Sequence, residues 1–494
     1  MKQVVTAAAL TVAALAPLAQ AHAARDEITL GMVLEPPYLD PTAGAAAAID
    51  EVVYANVFEG LTRIDRNGAV QPALASEWTI SDDGLTYTFR LEDGVTFHDG
   101  TGFDSADVAF SLERAMADDS TNSQKVLFEP ISKVETPDAS TVVVTLVRPT
   151  GHFLYSLGLG DAVIVAPESA KTNKSQPIGT GPFRFERWVQ GDRIELRRWD
   201  DYWGEPVALS RATFKFVPDP AAATAAMMAG DIDAFPNFPA PEALSQFEAD
   251  PRLAVVVGAT EGETILAMNQ ARPPLDDVRV RRAISHAIDR RALIDGAMFG
   301  YGTPIGSHFA PNHPAYVDLT GRYPYDPEKA KALLKEAGHG DGLDLTLKLP
   351  PPTYARRGGE ILAAQLAEVG IRPEIIPIEW AQWLEQVYGG KDYDLTVVSH
   401  TEPMDIDIYA RGEDYYFNYV KPEFVAMMEE LAQTLDPAAR NELLAKAQTM
   451  LADDAANGFL FQLPKLGVWD ASLEGLWKNS PVQANDLTAV RWVE

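Results

Sequence analysis

An α/β fold with more than one core is predicted by two features of this 494-residue chain. Period-two apolar runs alternate with helical repeats along most of its length, the pattern of lobes built on parallel or mixed sheets. The length also exceeds what one hydrophobic core supports, so two or three domains are expected. Neither a tandem repeat nor a low-complexity linker interrupts it. The composition, 46% hydrophobic and 23% charged, is that of an ordinary globular chain.

Residues 1–23 read as a secretory signal. Lys2 precedes an apolar run from Val4 to Leu18, and Ala19-Gln20-Ala21-His22-Ala23 offers a small-residue cleavage site after Ala23, with Ala21 as the alternative. That run is too short for a membrane span. The sequence has no cysteine, which excludes disulfides, thiolate chemistry and a lipid-modified cysteine anchor. The mature protein is therefore expected free in the periplasm. No other stretch approaches the ~18 apolar residues of a spanning helix. Any translocation channel would be another polypeptide.

The net charge is −30, from 41 basic and 71 acidic residues. Nothing in that balance favours phosphate contacts, so nucleic acid is not an expected partner. An anionic membrane surface is equally disfavoured. Solubility explains the excess more simply than steering of a cationic ligand.

The elements follow in order. Ile28–Val33 reads as a first strand, followed by Glu35-Pro36-Pro37 and Tyr38-Leu39-Asp40-Pro41. Ala45 to Phe58 has helical character. Leu85–Leu91 alternates apolar and polar residues between the turn dipeptides Asp83-Gly84 and Asp93-Gly94, a half-buried strand. Asp104 is placed as an N-cap, with Asp107 at capping-box distance, for a helix through Val108 and Leu112. Thr141–Leu146 is another strand. Gly179-Thr180-Gly181 between Pro177 and Pro182 suits a chain reversal, and it lacks the spacing of a phosphate loop. Strands at Arg184-Phe185 and Ile194–Arg197 precede a small-residue helix, Ala221–Ala229. Asp231 and Asp233 then read as turn residues rather than metal ligands. Helical spacing returns from Val280, with Arg279, Arg281, Arg282 and Arg290 assigned to a solvated basic face. Helices at Pro327–Leu334 and Gly359–Val369, a strand at Pro373–Ile378 and a buried strand up to Val398 complete the series.

Several stretches together resemble the family 5 extracellular solute-binding proteins, the peptide-, nickel- and opine-binding subunits of ABC importers. They are Asn56-x-Phe58-Glu59-Gly60-Leu61, Pro72-x-Leu74-Ala75-x-x-Trp78, Asp83-Gly84-x-x-Tyr87-x-Phe89-x-Leu91, Gly94-Val95-x-Phe97-His98-Asp99-Gly100 and Ala106-Asp107-Val108. Gly179–Phe183, Asp201-Tyr202-Trp203-Gly204, Met268-Asn269-Gln270 and Asp277–Ile284 extend the match. The resemblance implies a two-lobed periplasmic binding protein fold with a hinge and an extra domain inserted in the first lobe. Domain I would comprise residues 24–52, 176–262 and 465–494, domain II residues 53–175, and domain III, the second lobe, residues 263–464. Lobe closure about the two crossing segments would enclose a ligand. The implied function is that of a monomer that captures a small peptide or peptide-like zwitterion. It would deliver this cargo to an inner-membrane ABC permease with its ATPase subunits, without catalysis and without a cofactor.

The resemblance also places candidate ligand contacts. Ser399–Tyr409 follows a predicted buried strand, and open α/β sheets bind ligands off the carboxyl ends of strands. Asp405-Ile406-Asp407 resembles the family's Asp-Pro-Asp segment, one of whose carboxylates pairs with a ligand α-amino group; Ile406 replaces the proline. Tyr354-Ala355-Arg356-Arg357 resembles the segment that carries an arginine for the ligand carboxylate, a role suited to the paired planar donors of guanidinium. Trp380, Trp383 and Tyr409, with Tyr415, Tyr416, Phe417 and Tyr419 nearby, supply aromatic surface for a pocket. Tyr38, beside the family's Leu-Asp-Pro segment, and His400 complete the set.

No metal site is expected. His308 and His313 share a loop, but neither a His-Glu-x-x-His pattern nor a Cys/His spacing occurs. A nickel chelate held through His400, an opine and an oligosaccharide remain as alternative cargoes, and a chaperone or sensor as an alternative use of the fold. A hydrolase using Asp405 with Asp407 or Glu402 is the competing class. Against it stands the lack of a Gly-x-Ser-x-Gly elbow and of a zincin motif.

Overall fold

The computed structural model describes residues 25–44, 46–402 and 404–493. The expected signal segment lies outside them. Among the described residues, eleven strands form one mixed sheet. Its order is Ile371–Pro377, Leu343–Leu349, Leu395–His400, Leu253–Met268, Gly458–Asp470, Ala234–Phe235, Glu27–Met32, Arg211–Phe216, Arg193–Arg198 and Phe183–Val189, with Thr303–Pro304 pairing off Gly458–Asp470. Neighbours run parallel where Glu27–Met32 meets Arg211–Phe216 and where Leu343–Leu349 meets Ile371–Pro377, and antiparallel in the centre.

The two long central strands join the halves of this sheet. Leu253–Ala259 pairs with Pro464–Asp470, whereas Glu263–Leu266 pairs with the earlier part of the same partner strand. The register shifts between Ala259 and Glu263, and a bulge of this kind bends the strand that carries it. Separate cores lie to either side. One gathers Leu30, Val53, Phe183, Leu196 and Phe214; the other gathers Leu266, Ile284, Leu347, Leu362 and Val397. A third, rich in aromatics, packs Trp383, Tyr393, Tyr409, Tyr416 and Phe417 beside the second half-sheet.

A four-stranded antiparallel sheet, ordered Ala75–Ile80, Thr86–Leu91, Thr141–Leu146 and Ile131–Asp138, has its own core with the helix Ser105–Met116. The alternation read in the sequence is realised here, with Tyr87, Phe89 and Leu91 inside. The capping box forms as expected. Asp104 Oδ1 accepts from the Ala106 N–H at 2.7 Å, and the Asp104 N–H donates to Asp107 Oδ2 at 2.9 Å.

The sequence motifs converge where this small sheet meets the large one. Glu59 accepts hydrogen bonds from Thr180 Oγ1 at 2.8 Å, Tyr202 OH at 2.9 Å and Trp203 Nε1 at 2.9 Å. Burial nevertheless pushes its carboxyl up to about 7. His98 grips the same reversal. Its Nδ1 accepts from the Gly179 N–H at 3.3 Å, and its Nε2 lies 2.9 Å from the Gly181 carbonyl. A Cβ on Gly179 would stand 1.9 Å from the Val57 carbonyl oxygen, so only glycine fits there. These motifs therefore form the joint between two sheets.

One expectation fails for three of its four residues, Arg279 alone being exposed as read. Arg281, Arg282 and Arg290 do not form a solvated face. Arg281 is buried and donates to the carbonyls of Leu275, Asp276, Asp454 and Ala455. Arg282 reaches the Asp453 carbonyl, and Arg290 those of Phe459 and Tyr323. Guanidinium groups satisfy several carbonyls at once, which helical spacing does not reveal. The helix expected at Gly359–Val369 begins earlier, at Thr353, and so carries Arg356 and Arg357 in its first turns.

Candidate functional site

Strand Leu395–His400 is buried along most of its length because it lies between two neighbours of the sheet. It ends beside the strand bend, with His400 opposite Glu263. The chain then turns through a 3-10 helix, Asp405–Arg411, which returns Asp405 to the strand end. Asp405 Oδ1 lies 3.0 Å from His308 Nε2, and Asp405 Oδ2 lies 3.9 Å from His400 Nδ1. The other nitrogen of His308 faces Glu263 Oε1 at 3.2 Å.

His308 and Glu263 are shut off from water, their side chains only 1% and 2% exposed. Burial alone would pull the imidazole down, but Glu263 and Asp405 outweigh it and hold His308 protonated, at about 10. Burial pushes the nearby Glu261 up to about 6, even though it accepts from Asn312 Nδ2 at 2.9 Å. Burial lowers His400, whose Nε2 sits 2.8 Å from Tyr416 OH. The donor atoms of Glu263, His308 and Asp405 lie within 4.8 Å of one another, as do those of His400, Glu402 and Asp405. Both nitrogens of His308 already face carboxylate oxygens, so the positive charge these acids meet is the imidazolium itself.

Buried polar atoms are nearly always hydrogen-bonded. Among the described residues, Thr264 Oγ1, Ser399 Oγ and Arg357 Nη1 are buried without a hydrogen-bond partner. Thr264 and Ser399 pair across the two strands, one step from Glu263 and His400. Arg357 rises from the next element, whose first turn is tied to the strand end by the Ser399 N–H donating to Tyr354 OH at 3.3 Å. Unmet donors and acceptors thus gather at one strand end.

The family model for bacterial extracellular solute-binding proteins, family 5, matches residues 69–420. This chain belongs to that family. It is 33% identical to the glutathione-binding protein of Salmonella paratyphi A, over 71% of this chain and 69% of the relative. It is 30% identical to the dipeptide-binding protein of Escherichia coli, over 78% and 79% of the two chains. The periplasmic binding protein DppA of Helicobacter pylori, solved in complex with the peptide STSA, superposes with a TM-score of 0.83 at 25% identity, covering 95% of this chain and 98% of that one. No helix among the described residues is long and apolar enough to cross a membrane.

Within this solute-binding protein the sequence-derived candidates separate. Asp405 and His400 meet at the strand end, joined by Glu402. Asp407 is exposed and pairs with Arg411 at 3.2 Å. Arg357 has a free buried Nη1, and its guanidinium carbon lies 5.1 Å above the Phe299 ring. Arg356, by contrast, donates to the Pro350 and Ile378 carbonyls, both at 3.0 Å, and so clamps two strand ends together. Trp383 and Tyr409 are core residues: Trp383 Nε1 donates to Thr396 Oγ1 at 3.0 Å, and Tyr409 OH accepts from Asn457 Nδ2 at 3.0 Å. Trp380 stays half-exposed, edge-on to Trp383. Tyr38 belongs to the other half-sheet, donating to the Ala43 carbonyl at 2.9 Å.

His308, Glu263 and Glu261 escaped sequence reasoning. The available signal was a pair of acids flanking Gly262 inside a largely apolar strand, together with a histidine loop that no metal motif explained.

Proposed function

We propose that the chain captures a short peptide or peptide-like zwitterion between two lobes and hands it to an ABC permease, acting by binding alone. In this reading one lobe comprises residues 24–52, 176–262 and 465–494 with the insert 53–175, and the other residues 263–464. The strand bend at residues 260–262 supports a boundary there. The observation that carries the proposal is a pair of opposite charges on adjacent elements. Asp405 sits at the end of one strand, and Arg357, with an unpaired buried Nη1, in the first turns of the neighbouring helix. An ammonium would meet the first and a carboxylate the second. Asp405 has His308 facing it and the part-exposed Arg357 has Glu242, so a zwitterion that complements both charges would favour the closed form. The relatives named for glutathione and for dipeptides support this class of cargo, and secretion to the periplasm follows from the signal read in residues 1–23. Thermal-shift screening against di- and tripeptides, glutathione, oligosaccharides and nickel tests it. Stabilisation by free-ended peptides is expected; stabilisation only by sugars or nickel would refute it.

A further inference from the structure

We propose that the insert, residues 53–175, is a clasp for the second lobe. Its loops at Gly84 and Gly151 seat on the corner 431–440, and this contact sets ligand affinity by stabilising the closed form. This role rests on the lobe division proposed above and is independent of which solute is bound.

Each side of the contact is held by its own lobe. On the insert, Tyr87 OH donates to the Thr150 carbonyl at 3.5 Å, and the Tyr87 ring packs edge-on to Phe153, 4.9 Å between centroids. The loop 147–152 is thereby tied to the strand Thr86–Leu91. The turn before that strand is closed by the Gly84 N–H, which donates to the Ser81 carbonyl at 2.8 Å, with Gly84 at a left-handed φ of 69°. On the second lobe, the helices Pro422–Gln433 and Pro437–Asp453 meet at the corner. The buried Arg440 fixes it, its Nη1 donating to the Leu431 carbonyl at 2.8 Å and the Thr434 carbonyl at 3.1 Å.

The two surfaces approach to backbone range. The Gly151 N–H donates to the Ala432 carbonyl at 3.3 Å. A Cβ on Gly151 would stand 2.6 Å from the Thr434 carbonyl oxygen and closer still to Arg440 Nη1. A Cβ on Gly84 would stand 2.5 Å from Leu435 Cδ1, so Leu435 lies directly over the turn. The Arg440 charge reaches the same loop: burial first, and Arg440 with it, hold His152 down to about 4. Surfaces ordered in advance lose little freedom on meeting. Apparent affinity scales with the fraction of molecules in the binding-competent form, so a contact that favours closure tightens every ligand alike.

The test is G151A. Gly151 lies outside the left-handed region, so alanine adds no strain there, and the atoms nearest the new methyl belong to Thr434 and Arg440 of the second lobe. The chain has no cysteine, so spin labels on Asp82→Cys and Glu429→Cys, both at exposed positions, report the separation of insert and corner without any ligand. G151A is expected to shift the distances in the ligand-free protein to longer values. In calorimetry it should weaken Ala-Ala and glutathione by the same factor, about tenfold for each tenfold fall in the closed fraction. L435A, which removes a contact instead of adding a clash, is expected to act in the same direction and replaces G151A if that variant does not fold. Unchanged distances in both variants overturn the clasp, as does a loss of affinity confined to one of the two peptides. Wild type that binds neither peptide overturns the proposed function, and the label distances then decide the clasp alone.

Discussion

Arg357 Nη2 lies 3.5 Å from Glu242 Oε1, linking the helix Thr353–Glu368 to the turn Pro241–Ala243 across the proposed boundary between lobes. Both side chains are about two-fifths exposed (42% and 40%), so the pair itself contributes little, ~0–1 kcal/mol. A ligand carboxylate can displace Glu242 at small cost. Arg357→Ala is expected to weaken a peptide with a free carboxyl end by tenfold or more and to leave its C-terminal amide nearly unaffected. Arg356→Ala should do the opposite. It leaves affinity close to wild type and lowers the melting temperature, because its bonds hold strand ends. Calorimetry and thermal denaturation on the two variants separate these roles.

The two aspartates should also part. Asp405→Asn is expected to reduce affinity for an amine-ended peptide by ~2–5 kcal/mol, the range for truncating a buried charge pair. Asp407→Asn, at an exposed position paired with Arg411, should change it by less than ~1 kcal/mol. Equal losses in both variants, measured by calorimetry, would move the anchor away from Asp405.

Much of the fold was legible in the sequence because local rules decided it. The alternation of Thr86–Leu91 and the Asp104 capping box depend on neighbours a few residues away, and both formed as read. The motifs Asn56–Leu61, Gly179–Phe183 and Asp201–Gly204 identified the family, yet their work at Glu59 is a tertiary joint that spacing cannot display. The candidate site was open to sequence reading only in part for the same reason. Asp405 and Arg357 lie in short stretches that resemble the family's, whereas His308 meets Glu263 and Asp405 only after the chain has folded. Aromatic content misled: Trp383 and Tyr409 have polar tips suited to a pocket, but Thr396 and Asn457 satisfy them inside the core.

Stability should fall in mild acid partly through His98. Burial holds this ring down to about 4, against an ordinary value of 6.5. Between those values the unfolded chain binds more protons than the folded one, so this contribution is complete above pH 6.5 and is lost as pH falls towards 4, at up to about 1.4 kcal/mol per unit. His98→Gln should flatten that part of the profile in denaturant titrations. An unchanged acid slope would show that protonation of His98 does not contribute to it.

The two tryptophans of the second half-sheet give a contrast in stability. Trp383→Ala removes a buried ring and its hydrogen bond to Thr396, and should cost ~3–5 kcal/mol in chemical denaturation. Trp380→Ala, with its ring partly in solvent, should cost less than about half as much.

The most direct test of a zwitterion-binding site is calorimetric titration of the wild-type protein with Ala-Ala, N-acetyl-Ala-Ala and Ala-Ala amide side by side. Tight binding of the free dipeptide, with at least tenfold loss on blocking either end, is the expected result. Equal affinity for all three, or binding of none while another solute class binds tightly, would contradict the account.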